Sequence, residues 1–265
     1  METSNYNLLF YDITSKCNSD CPICFQKGNS FRDISIEELE KSLKNVKGKE
    51  IRLLGGEPTL HPDLCEMIKV IHESGNSAYF ATNGIVLSKD KRLVADLFEL
   101  QKSGKLMINI SMNGGLSEKI TELLHGKNEL PEKLSALYNM KGFKYLSASS
   151  VLCRNINEFV LVDLVKIQNM FALKNITFRG EINGESPYKT NEFLYLALKS
   201  KIITRKDLSR VVMAGFTDIN CKGRNCCIKL IKDGYTIHWY EECSDCWRTR
   251  KYNPNTASIE FYSGE

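Results

Sequence analysis

Cys17-Asn18-Ser19-Asp20-Cys21-Pro22-Ile23-Cys24 follows closely on the apolar run Leu8-Leu9-Phe10-Tyr11-Asp12-Ile13. The run reads as a first strand and the cysteines as a loop leaving its end. A C-x3-C-x2-C spacing folds such a loop so that three thiolates converge from one side. Four cysteines usually hold an iron–sulfur cluster, so three leave one iron without a protein ligand. An open coordination position is what separates a catalytic metal site from a structural one. Two other readings compete: half of a zinc site, or part of a disulfide framework. Met1 to Asn7 shows no charged-then-apolar export signal, and disulfides are rare in reducing compartments. The disulfide reading is therefore set aside and a cytoplasmic location expected. Zinc stays open, although no Cys or His follows soon after Cys24 and Cys65 falls in an expected helix.

Beyond the loop the chain alternates strand and helix patterns. Ser35-Ile36-Glu37-Glu38 is a capping box, and Ile36, Leu39, Leu43 and Val46 keep helical spacing. A second strand, 50–54, stops at Gly55-Gly56-Glu57-Pro58. A helix from near Pro62 carries Leu64, Met67, Ile68 and Ile71 inward. A third strand, 77–81, ends in Thr82-Asn83-Gly84. Ser88 is the expected cap of a helix reaching Lys102. The fourth strand, 106–110, ends in Ser111-Met112-Asn113. A helical region broken near Leu130-Pro131 precedes a fifth strand at 144–152. A helix at 156–173 and a sixth strand at 175–179 follow. Strand–helix alternation implies right-handed crossovers and a parallel sheet, its strands apolar because both faces are covered. In such α/β folds the loops after the strands gather on one edge, where active sites form. The cysteine loop, Gly55 to Pro58, Thr82 to Gly84 and Ser111 to Asn113 all follow strands. Taken singly, the glycines read as turn chemistry.

The 265 residues suit one large domain or a domain with an appendage. A net charge of +4, from 36 basic and 32 acidic residues, gives no strong nucleic-acid signal. No run approaches the ~18 apolar residues of a membrane span. The four histidines do not pair at metal-ligand spacing.

Cys17, Cys21 and Cys24 after the first strand, with Gly55-Gly56-Glu57-Pro58 after the second, resemble the radical S-adenosylmethionine (SAM) superfamily over residues 7–185. The resemblance implies a partial (β/α)6 barrel and a [4Fe-4S] cluster on the three cysteines. The fourth iron of that cluster takes the amino and carboxylate groups of SAM. By the same resemblance Gly55, Gly56, Glu57 and Pro58 contact the methionyl amino group. Ser111 and Asn113, with Asn83, are candidates for the ribose or carboxylate, and Ser149 and Arg154 for the carboxylate. Backbone near Phe178 would meet adenine, and Phe25 either packs on adenine or enters the core. The implied chemistry is reductive cleavage of SAM, fed by a one-electron donor such as flavodoxin or ferredoxin. It yields a 5′-deoxyadenosyl radical that abstracts hydrogen from substrate. The cofactor carries the reaction, so no side-chain acid–base pair is expected, and none is legible.

The tail divides off, giving expected domains 1–187 and 188–265. Helical patterns fill 190–214, then Cys221, Cys226, Cys227, Cys243 and Cys246 crowd together. Between them Ile228 to Ile231, Asp233-Gly234 and Tyr235 to Tyr240 read as a hairpin. The hairpin would bring Cys226 or Cys227 beside Cys243, and Cys243-Ser244-Asp245-Cys246 has metal-knuckle spacing. The tail resembles the SPASM and twitch extensions of the same superfamily, with a longer gap after Gly234 and an incomplete cysteine set. That implies a second iron–sulfur cluster, with zinc as the alternative. Cys65 and Cys153 read as free core cysteines, and His238 as a sheet residue. The favoured substrate is a peptide or protein, by the tail resemblance, although little chain precedes residue 7 to recognise one. A nucleotide or other small molecule is the alternative. A zinc-binding nucleic-acid-binding protein is the reading from a different class, and it leaves Gly55 to Pro58 and the βα series without a role.

Overall fold

A computed structural model describes residues 8–181, 187–208, 211–213, 227–241, 249–253 and 258–262. The first part of the chain lays down β1 (Leu8–Thr14), α1 (Ile36–Leu43), β2 (Glu50–Gly55), α2 (Leu64–Glu73) and β3 (Ser77–Thr82). It continues with α3 (Ile85–Lys89), α4 (Lys91–Ser103), β4 (Leu106–Ser111), α5 (Glu118–His125) and α6 (Leu130–Asn139). Next come β5 (Leu146–Leu152), α7 (Val160–Phe171) and β6 (Asn175–Gly180). Strands β1 to β6 lie side by side in chain order, each pair parallel. Right-handed crossovers that always step the same way put every helix on one face. The fold is therefore α/β, with a mostly parallel sheet and its strand-end loops gathered on one edge.

The two faces differ sharply. Towards the helices point Tyr11, Ile13, Ile51, Leu53, Ala78, Phe80, Ile108, Ile110, Ala148, Ile176 and Phe178, all fully buried. Between them β3 and β6 alternate with half-buried positions. The expectation of strands apolar on both faces is corrected here. The inner face carries Phe10, Arg52, Tyr79, Asn109, Ser147, Ser149 and Arg179, so only one face is a dry core.

The capping box at α1 forms as expected: Glu38 N donates to Ser35 Oγ (3.3 Å), and Ser35 N to Glu38 Oε2 (2.9 Å). Other boundaries moved. Pro58–Leu60 is a separate 3-10 turn before α2. The helix expected from Ser88 is split in two: Ser88 lies inside α3 and donates back to Ile85 O, while Asp90 caps α4 by accepting from Leu93 N (2.9 Å). A carboxylate acceptor placed at the N-terminal dipole of α4 is the stronger cap.

The rest of the chain adds α8 (Thr190–Lys199), α9 (Arg205–Leu208), β7 (Val211–Met213), β8 (Cys227–Lys232), β9 (Tyr235–Tyr240), β10 (Thr249–Asn253) and β11 (Ser258–Tyr262). The helix expected to continue to residue 214 ends sooner, and β7 is a strand. The hairpin forms as read: β8 and β9 are antiparallel, and Asp233 (φ 46°) and Gly234 (φ 85°) turn between them. Two positive φ angles are the signature of a type I′ turn. β9 pairs with β6 in parallel and β10 with β1 in parallel, so these strands extend both edges of one sheet. Trp239, fully buried, stacks on Phe193 of α8 at 4.5 Å and 7°. Cys221, Cys226, Cys243 and Cys246 lie outside the described residues; Cys227 opens β8 opposite Tyr240. Among the described residues no helix is long and apolar enough to cross a membrane.

Candidate active site

The cysteine loop leaves β1 at Thr14, and a returning segment straps that exit. Ile34 N donates to Ile13 O (3.1 Å), Thr14 Oγ1 to Asp33 Oδ1 (2.7 Å), and Ser15 Oγ to Phe31 O (2.8 Å). Within the loop Cys24 N donates to Cys21 O (3.1 Å). Cys17 is exposed, and Cys21 and Cys24 are half-buried. Burial raises the Cys17 thiol, with Glu57 and Cys24 adding to the rise. Burial pushes Cys21 up to about 12, with Glu129 adding to it and the charges on Cys24 and Cys17 contributing. Cys17 and Cys21 are thus close enough to feel each other and Cys24, and both are protonated at neutral pH until a metal displaces the proton. Among the described residues no three Cys, His, Asp or Glu groups stand close enough to hold a single metal ion. Three neighbouring thiols on one loop, each able to take a different iron corner, fit an iron–sulfur cluster by donor chemistry.

Gly55 and Gly56 dock backbone against backbone on the start of this loop. Gly56 N donates to Thr14 O and Glu57 N to Lys16 O, both at 2.8 Å. A Cβ on Gly55 would stand 2.0 Å from Thr14 O, and one on Gly56 2.3 Å from Lys16 O. Gly55 also holds φ +147°. Only glycine fits at either place. The pair is therefore required by the approach of β2 to the cysteine loop, whatever ligand lies beyond it.

The Glu57 side chain is held by donors from two strand ends. Its carboxylate, 2% exposed, accepts from Thr59 N (3.1 Å), Thr59 Oγ1 (2.6 Å), Thr82 Oγ1 (2.7 Å) and Asn83 N (2.8 Å). Burial raises its pKa, and these four donors oppose the rise. Glu57 thus ties the end of β2 to the end of β3. Pro58, also buried, opens the 3-10 turn. Asn83 carries the tie onward: its Nδ2 donates to Asn18 Oδ1 (2.7 Å) and Ser19 Oγ (3.1 Å), inside the cysteine loop.

The remaining sequence candidates scatter. Ser111, which ends β4, and Ser149, midway along β5, are paired neighbours on the inner face. Ser149 Oγ donates to Asn109 Oδ1 (2.5 Å), whose Nδ2 donates to Ser147 Oγ (2.8 Å). Asn113 is buried and braces the β4 loop on β5 by accepting from Val151 N (2.9 Å). Arg154 pairs with Glu192 (2.9 Å) and lies over Tyr188 at 4.3 Å. The Phe178 side chain is core, facing Phe193, and Phe25 is 39% exposed. Cys65 is half-buried and Cys153 buried, both free.

Two groups of residues were missed in the sequence. The first lies beneath the loop, in the α5–α6 connection. Glu129, 1% exposed, accepts from Ser19 Oγ (2.5 Å) and lies 3.3 Å from Lys133 Nζ. Lys133, equally buried, donates to Asn83 O (3.1 Å); burial lowers its pKa and Glu129 opposes this. His125 Nδ1 stands 3.4 Å from Cys21 Sγ and 3.4 Å from Glu129 Oε2. Burial, with Lys133, pushes His125 down to about 3, so the ring is neutral and its contact with Glu129 is not an ion pair. Lys127 Nζ donates to Asn18 O (2.6 Å). The four-residue spacing from His125 to Glu129 to Lys133 was the available signal. The second group lines the inner face. Arg52 pairs with Glu50 (2.7 Å) and lies 4.7 Å over Tyr79, and Arg179 lies 5.5 Å over Tyr240. Its signal was polar residues at period two in strands.

A family model described as the radical SAM superfamily matches residues 11–158. The chain is 30% identical over 181 residues to 7,8-dihydro-6-hydroxymethylpterin dimethyltransferase from Methanocaldococcus jannaschii, covering 63% of this chain and 35% of that one. It is 28% identical to an S-adenosylmethionine-dependent nucleotide dehydratase from a Fibrobacter species, covering 78% and 66%. It is 28% identical to a probable GTP 3′,8-cyclase from Thermoplasma volcanium, covering 66% and 54%. The chain thus spans between about a third and two thirds of these curated relatives. Among solved structures, Streptococcus suis SuiB bound to S-adenosylmethionine aligns at TM-score 0.64 and 15% identity, covering 97% of this chain and 63% of that one. The likeness to SuiB is one of fold. With the family model spanning more than half of the sequence, over the cysteine loop and five of the six parallel strands, this chain belongs to the radical SAM superfamily.

Proposed function

We propose that this chain is a radical SAM enzyme acting on a small phosphorylated substrate of the nucleotide class, held on the inner face of the sheet. Cys17, Cys21 and Cys24 hold the [4Fe-4S] cluster that the family implies. Residues 18–19 are fastened from three sides, by Asn83, Glu129 and Lys127, which sets the orientation of the loop. The Gly55-Gly56 backbone and the hydroxyls of Ser111 and Ser149 bind SAM, the first docked on the start of that loop and the two serines cross-strand neighbours on the inner face. When bound, cluster and cofactor supply the carbon-centred radical that removes hydrogen from substrate. The chain's own part is to bind, orient and keep water out. A low-potential one-electron donor, a flavodoxin or ferredoxin, completes the system.

The substrate reading is carried by Arg179. Its guanidinium lies over the Tyr240 ring on the inner face, and among the described residues no carboxylate pairs with it. A cation beside an aromatic ring suits a phosphate on a flat heterocycle. Relatives named for nucleotide dehydration and GTP cyclisation support the same class. The peptide reading rests on the tail cysteines and stands second. Cys221, Cys226, Cys227, Cys243 and Cys246 would form the auxiliary site of a 188–265 extension following the 1–187 barrel, with iron–sulfur or zinc as its metal.

The test is anaerobic reconstitution followed by 5′-deoxyadenosine release with reductant, SAM and either nucleoside triphosphates or peptides. Nucleotides should accelerate release, and Arg179→Ala should raise KM by roughly 10-fold or more, the loss of one charge-assisted contact. Acceleration by peptides alone would overturn the substrate class. No release under any condition would overturn the chemistry. Iron and sulfide near four per chain mean one cluster, and near eight mean two.

A further inference from the structure

His125 ends α5 with both ring nitrogens buried, at 2% exposure. Its Nδ1 faces two groups, Cys21 Sγ and Glu129 Oε2, each at 3.4 Å. Among the described residues its Nε2 has no hydrogen-bond partner, and Glu129 Oε2 lies within ion-pair distance of Lys133 without a well-formed hydrogen bond. A buried histidine placed this way is costly unless an N–H of the ring is used. Once Cys21 ligates iron its sulfur acts as an acceptor, and the other group facing Nδ1 is a carboxylate oxygen. A lone pair on Nδ1 would then face two acceptors. The proton must therefore sit on Nδ1, leaving the bare lone pair at Nε2.

We propose that His125 is a positioning residue for the cluster: it donates Nδ1–H to the sulfur of Cys21, and the buried Glu129–Lys133 pair fixes the tautomer that makes this possible. The inference rests on the reading of Cys21 as a cluster ligand. Hydrogen bonds to cluster sulfurs stabilise the added electron and so raise the reduction potential. Glu129 also accepts from Ser19 Oγ, and Lys133 donates to Asn83 O, which reaches Asn18 and Ser19 through its amide. The same buried pair thus fixes the loop and the ring that touches it.

The test is pulsed EPR on the reduced, SAM-free holoprotein grown with 15N-labelled histidine. A weak nitrogen coupling on the cluster signal is expected. Of the four histidines, His61 spends both nitrogens on Ile34 O and Asp63 N, His72 bonds Ser103 and Lys105, and His238 stacks on Tyr240 in the sheet. The coupling is therefore assignable to His125. His125→Phe should abolish it and move the midpoint potential of the cluster to more negative values at unchanged iron content. His125→Gln, whose amide still donates, should fall between. A cluster signal that shows no nitrogen coupling, or a midpoint in His125→Phe equal to wild type, overturns this inference alone. Failure of the Cys17–Cys21–Cys24 loop to bind iron at all overturns it together with the reading beneath it. The coupling is read on the wild-type protein, so the outcome stands even if a variant fails to fold.

Discussion

Replacing Glu57 by glutamine tests the tie between the Gly-Gly-Glu-Pro segment and the cysteine loop. The carboxylate accepts four hydrogen bonds, three at Oε1 and one at Oε2. An amide has one oxygen. With the oxygen at the Oε1 position, the amide NH2 meets the Asn83 N–H, donor against donor. The opposite orientation sets NH2 against Thr59 N–H and two hydroxyls, which is worse. The cheaper orientation loses one hydrogen bond to a charged acceptor and leaves a buried N–H unpaired, together about 3–5 kcal/mol. Removing a buried charge whose pKa is raised by desolvation returns part of that. The net expected loss is about 2–3 kcal/mol. Urea unfolding followed by far-UV circular dichroism, under anaerobic conditions, reads it as a lower midpoint with unchanged slope. Because Asn83 holds Asn18 and Ser19, iron retention should fall as well. A midpoint within experimental error of wild type, with full iron, would refute the placement of Glu57 as an internal brace.

Gly56→Ala should lose most of its iron and several kcal/mol of stability, because its Cβ would stand 2.3 Å from Lys16 O; iron content and urea unfolding check this. Lys133→Met should cost about 3–5 kcal/mol by leaving Glu129 buried and unpaired, while Lys133→Met with Glu129→Leu should recover much of it, both measured by urea unfolding. His238 is pushed by burial from 6.5 down to about 4. A histidine with a lowered folded pKa binds fewer protons than the unfolded chain between those values, so stability falls as pH drops from 6.5 towards 4. The loss should reach about 3 kcal/mol, and His238→Gln should flatten that part of the stability–pH curve.

The βα order was legible because each helix carried helical spacing and each strand ended in a loop with its own chemistry. Leu39 and Leu43, or Met67 and Ile68, point inward as the period requires. The three cysteines and the two glycines were legible for the same reason: few residue types can do what those positions demand. Less legible was what each side chain touches. The bracing contacts of Glu57 and Asn83 carry no sequence signal, since a carboxylate between strand ends finds donors from both only once the strands are paired. Ser88 read as a cap because it opens an apolar run, but Asp90 stood two residues on with a better acceptor. His125, Glu129 and Lys133 carry little signal, because charged residues at that spacing usually lie on an exposed helix face. Contacts from the cysteine loop and from the end of β3 accompany their burial. Arg52 and Arg179 were hidden because an inner face is recognised by what surrounds it.

The most direct measurement is the EPR spectrum of the reduced, anaerobic protein with and without SAM, for wild type and for Cys17→Ala, Cys21→Ala and Cys24→Ala. Three thiolates on an iron–sulfur cluster with one open iron predict a signal that changes shape when SAM binds and that each substitution removes. A signal indifferent to SAM, or one that survives all three substitutions unchanged, would contradict the account.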